Sequence, residues 1–287
     1  MIDKNGNKIS SEQSQPDPDF IFNEIRFFEK AFIKDQNDTR ALNIARQITT
    51  FLKAKDNSNK IIAILTNLEK YATATNSEDF LWELVNIRRT LADISASSKI
   101  DTADSLYIAA DYRHIAANIF KEIVRVNPSV YNRCAEVIEF VTASRYYKEA
   151  NSLKATSNIL ERTQILFENI EETNTEKYYD AGESLYLDII CNSDRVKSTE
   201  DKLKYYLKLI HCSRELYKIN KNKTSLNIVA SAYIDCLDYE QFSYENEKEN
   251  INDAILMLEE AIKNGNSSME RKLKKLTDAV NKRQNNT

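Results

Sequence analysis

Histidine titrates near neutral pH and is the commonest metal ligand, and this chain of 287 residues has two, His114 and His211. A di-iron helical bundle needs two Glu-x-x-His pairs. The nearest forms here are Asp111-x-x-His114 and Lys208, one turn before His211. The arginine that some helical ribonucleases place between one and two turns ahead of a histidine is missing. Those positions hold Tyr107, Ile108 and Ala109 before His114, and Lys204, Tyr205 and Tyr206 before His211. Cys134 or Cys212 would need a histidine to act as a nucleophile. Cys212 follows His211 directly, but adjacent helical residues point about 100° apart and form no dyad. No HExxH, Walker loop, GxSxG or EF-hand loop is present. The expectation is therefore no catalytic residue, no metal and no cofactor, which is not an enzyme's pattern.

The elements that carry these residues follow from composition. With 42% apolar and 29% charged residues the chain resembles an ordinary globular protein. Three glycines and three prolines cannot supply a turn every ~8–12 residues, as a β-sandwich requires, or a phosphate-binding glycine loop. The fold class is all-α. A net charge of −4 and a pI near 5.5 argue against nucleic acid or an anionic membrane as partner. The basic clusters Arg88-Arg89, Arg271-Lys272 and Lys274-Lys275 read as solvated helix faces. Cys134, Cys191, Cys212 and Cys236 are too far apart for a CxxC pair and read as free thiols in a reducing cytosol. The N-terminal residues have no apolar stretch of signal-peptide type, and no apolar run exceeds five residues. Cytoplasmic localisation is expected.

Residues 1–18 read as a disordered tail, 19–282 as a single helical domain and 283–287 as a disordered end. Within the domain, apolar residues recur at three- and four-residue spacing. They predict helices near 18–35, 39–54, 59–74 and 78–95, the last behind an N-cap at Ser77. Helices at 101–111 and 113–126 meet at Asp111-Tyr112, and Pro128 closes the second. Further helices are expected near 129–147, 149–171, 175–192 and 199–219, the last behind a Ser198-to-Asp201 capping box. Helices near 224–238 and 250–263 flank an acidic insertion, 238–250, and Gly265 closes the second in a left-handed cap. A final helix covers 267–282.

Two segments carry small and aromatic residues in a repeating order. The first has Tyr107, Ala116, Phe120, Ile123 and Pro128. The second has Leu226, Val229, Ala230 and Tyr233, then Ala254, Leu258, Ala261 and Ile262. A small side chain lets helix axes approach to the near end of ~8–10 Å while the aromatic fills the adjoining groove. In these segments the chain resembles the tetratricopeptide repeat (TPR) family. It departs from that pattern at Asp104, at Asn266 and in the length of the insertion; Tyr178, Gly182 and Leu185 are the best of the remaining stretches. The resemblance implies antiparallel hairpins stacked as a solenoid, against the alternative of an irregular α-helical bundle.

It also implies a concave face lined by the first helix of each hairpin. That face would carry Ser98, Asp101 and Ser105 in one hairpin and Asn227, Ser231 and Asp235 in the other. Asparagine can clamp a peptide backbone as donor and acceptor. The Lys- and Asn-rich carboxylate clamp of some TPR proteins is not recognisable, which favours a neutral or basic ligand over an acidic tail. The insertion, with Tyr239, Phe242 and Tyr244 among glutamates, is the other candidate surface. The implied role is a protein or peptide interaction module serving as adaptor, chaperone-like factor or regulator. A helical subunit of a larger assembly is the alternative, and an all-α hydrolase or toxin ranks last.

Overall fold

Why helices begin and end where they do is visible in their caps. In a computed structural model, which describes residues 18–54, 61–97, 102–192 and 198–285, the Ser77 hydroxyl accepts the Phe80 amide at 3.3 Å. Ser198 accepts the Asp201 amide at 3.0 Å, as its capping box requires. Ser129 accepts the Asn132 amide, and Asn222 the Thr224 amide. Gly265, at φ +89, ends a helix in the left-handed region that favours glycine.

Among the described residues there are twelve α-helices and no strand. They are α1 Pro18–Lys34, α2 Asp38–Ala54, α3 Ile62–Ala72, α4 Glu78–Ala96, α5 Thr102–Val126 and α6 Val130–Glu149. There follow α7 Leu153–Glu168, α8 Glu176–Asn192, α9 Thr199–Asn220, α10 Lys223–Leu237, α11 Tyr244–Lys263 and α12 Glu270–Asn285. Every principal packing partner of a helix is the next helix in the chain or the next but one.

Three expectations change. The two helices expected at 101–111 and 113–126 are one, α5, of 25 residues. Asp111 and Tyr112 neither break a helix nor fix a turn, and Ala109, Ala110, Ala116 and Ala117 favour continuation. Residues 102–126 therefore form no hairpin. The acidic insertion shrinks to 238–243, because α11 starts at Tyr244 with Glu245 and Glu247 in its first turn. Acids at a helix N-terminus complement its dipole, so a run that reads as a solvated loop is the start of a helix. At the C-terminus, α12 continues to Asn285 and takes in 283–285.

The core has three parts. Helices α1 to α5 enclose Phe32, Phe51, Phe80 and Phe120. A second cluster joins α6 to α12 around Leu185, Leu209, Tyr233 and Leu258. A smaller one, with Ala117, Phe140 and Tyr147, joins α5, α6 and α7. Helix α6 belongs to all three, through Ala135, through Cys134, Val137 and Val141, and through Phe140, Ala143 and Tyr147. Most of its surface is buried, including Glu136 and Glu139.

Gly182 on α8 marks a close helix approach. A Cβ there would stand 2.5 Å from Cys212 Sγ and 2.9 Å from Phe167 Cζ. Gly182→Ala gains up to about 1 kcal/mol of helix propensity but meets an overpacking cost of about 1–3 kcal/mol. A net loss near 1 kcal/mol is expected in chemical denaturation, and Cys212→Ala in the same chain should recover part of it. A loss unchanged by Cys212→Ala would show that the sulfur is not the obstacle.

Candidate binding groove

Helices α5 and α7 both run antiparallel to α6, as the pairings of Tyr107 with Tyr147 and of Thr156 with Ser144 show. The surface between α5 and α7, floored by α6, is an open groove. At one end the Tyr107 and Tyr147 rings meet edge-to-face at 5.1 Å. In the middle the His114 ring stands edge-on to Phe140 at 5.5 Å. Farther along lies a cavity of about 290 Å³ lined by Lys121, Phe140, Arg162, Ile165 and Leu166. Leu166 also borders the next cavity, of about 250 Å³, with Val124, Arg133, Glu136, Asn169 and Ile170. Ile165 is 57% exposed and Tyr107 44%, so the groove presents apolar surface to solvent.

Its electrostatics are lopsided. Among the described residues no acid forms an ion pair with Lys121, Arg133 or Arg162. Glu136 at the base is buried, with Oε1 lacking a hydrogen-bond partner. Desolvation raises its pKa against the opposing pull of Lys121 and Arg133. His114 has a lowered pKa, from burial and from the Arg162 charge, so the imidazole is held toward its neutral form.

The residues singled out from sequence fall elsewhere. Ser98 and Asp101 lie outside the described residues. Ser105 is half-buried on α5, and no principal packing joins α5 to α10. Asn227, Ser231 and Asp235 do share α10, but α12 packs against that helix. Lys272 of α12 donates to Ser231 Oγ at 2.6 Å. Asp235 is exposed and accepts from the Tyr206 hydroxyl, while Tyr239 is half-buried with its ring 6.4 Å from that of Tyr206. Phe242 and Tyr244 are 4% and 6% exposed and belong to the core, which removes them from any binding surface. The Tyr244 hydroxyl accepts from Gln284. They are buried because α11 begins there and brings their rings inward.

The groove residues were missed because they come from three helices. The one local signal was Glu136 and Glu139, two acids one turn apart among the apolar residues Cys134, Ala135, Val137, Ile138, Phe140 and Val141.

The groups with chemical potential are held apart. His211 is 45% exposed and lies 2.9 Å from Glu172, whereas Cys212 is buried and burial pushes its thiol up to about 12. Burial pushes Cys134 up to about 11 and Cys236 to about 12. Among the described residues no group of three or more His, Cys, Asp or Glu is placed to hold a metal ion. No described helix is long and apolar enough to cross a membrane.

The fold and the groove define the class: an all-α protein with an open apolar groove across three consecutive helices. The chain matches no family model and no curated protein. Among solved structures it is similar to a chain from the computational design of self-assembling cyclic protein homo-oligomers. The identity is 12% and the TM-score 0.23, over 94% of this chain and 95% of that one. A likeness of that size fixes neither a shared arrangement of helices nor a role.

Proposed function

We infer that the chain is a non-enzymatic, cytoplasmic interaction module that binds a peptide or partner helix in the groove of α5, α6 and α7. One observation carries this reading: exposed Ile165 and Tyr107 lie along a groove whose two cavities α6 floors with Phe140 and with Arg133 and Glu136. Exposed apolar surface beside such cavities is characteristic of protein contacts. The sequential packing of the helices supports a TPR-like solenoid, with α8–α9 and α10–α11 as its hairpins. The four free cysteines suit a reducing compartment. A second reading, a subunit of a larger assembly, is favoured by Phe27 and Ile33 on α1, which are 70% and 58% exposed.

Panning a random peptide library against the full chain tests the binding role. Selected peptides should lose affinity about tenfold on Ile165→Ser. They should be indifferent to Leu256→Ser, which removes an equally exposed side chain on α11. Peptides affected by neither change would remove the groove as the binding surface.

A further inference from the structure

Resting on the reading of the groove as a binding surface, we propose that its occupant is an acidic amphipathic helix of a partner protein. Its apolar stripe would cover Phe140, Ile165 and Leu166, and its carboxylates would pair with Lys121, Arg133 and Arg162. Charge complementarity carries the choice. The chain as a whole is net negative, and several of its cations are matched by acids. Arg40 pairs with Asp35, Arg88 with Glu69, Arg145 with Asp188 and Lys208 with Glu168. Around the groove, among the described residues, three cations stand in no such pair. Lys121 lies 6.0 Å from the Phe140 ring centre, so its charge sits over the apolar floor itself.

A basic ligand has little to meet here. Of the carboxyls along the groove, Asp111 is engaged by the Tyr147 hydroxyl, and Glu136, which lines the second cavity, is withdrawn from solvent, has an oxygen without a partner, and is held toward its protonated form by desolvation. Protonated, it can donate to a carboxylate or carbonyl of the occupant. This reverses the preference for a neutral or basic ligand drawn from the missing carboxylate clamp, because the cations come from three separate helices and form no local motif.

Helical form follows from the shape. The lined part of α5 runs from Tyr107 to Val124, about 25 Å at ~1.5 Å per residue, which is four to five turns of a docked helix. The two cavities adjoin at Leu166, and side chains one turn apart on a helix would enter them in succession.

The same full chain and peptide library test the occupant, with Arg133→Glu/Arg162→Glu as the second target. Both arginines are exposed on helices, and circular dichroism checks that the variant is folded. Selected peptides should be net acidic with apolar residues at helical spacing, weaken about tenfold or more on the charge reversal, and weaken as salt rises. Neutral or basic peptides that still depend on Ile165 would overturn the acidic occupant and leave the groove reading intact. Peptides indifferent to Ile165 and to both arginines would remove the groove reading itself. Sedimentation showing a dimer that dissociates on the charge reversal would identify a second copy of this chain as the occupant and overturn the proposal.

Discussion

Replacing Glu139 by alanine is expected to destabilise the protein by about 3 kcal/mol, the low end of the ~3–5 kcal/mol typical when a buried ion pair loses one partner. The glutamate is 2% exposed and ties three helices together. Arg89 of α4 donates to Oε1 at 2.7 Å, and Arg113 of α5 donates to Oε2 at 3.2 Å. The low end applies because neither arginine is stranded completely. Arg113 keeps Asp93 at 2.8 Å, and the Arg89 side chain, 30% exposed, can turn toward water. Glu139→Gln keeps the volume and one acceptor oxygen and should cost less. Urea denaturation of the two variants decides the matter. A loss under ~1 kcal/mol for Glu139→Ala would mean that the cluster does not hold α4, α5 and α6 together.

Phe120→Ala should cost a similar or larger amount, about 3–5 kcal/mol, from lost transfer energy and the cavity left behind. The ring is fully buried and stands edge-on to Trp82, with centroids 4.9 Å apart at 90°. Phe120→Leu fills most of the hole and should cost markedly less. The Arg89 guanidinium lies 5.8 Å from the Phe120 ring as well as bonding Glu139. The two sites therefore share a partner, and the double variant should depart from the sum of the single losses. Additive losses would show that Arg89 does not couple them.

The helices were readable because apolar spacing and capping residues act within a few positions of each other. Ser77, Ser198 and Gly265 each did what their chemistry requires. The break expected at Asp111-Tyr112 is absent because local propensity outweighs the repeat likeness there, and nothing in those two residues stops a helix. The acidic run from Glu245 was misplaced for the opposite reason. Its charge pointed to water, whereas its position in a first turn made it compatible with a helix. Phe120 and Ala116 were correctly singled out as packing residues, and both are fully buried. The groove was not readable, because Lys121, Arg133 and Arg162 become neighbours only when α5 and α7 lie along α6. A charge count over the sequence averages them away.

Helix α6 has a further consequence for how the chain opens. Its side chains are shared among the three apolar clusters, so it cannot detach from one while remaining seated in the other two. Local opening follows the boundaries of units that can separate without exposing another unit's core. Helices at the two ends of the chain can fray singly. Loss of α6 exposes both large cores at once, which makes it the point where the folding cooperativity of the N-terminal and C-terminal helices is joined.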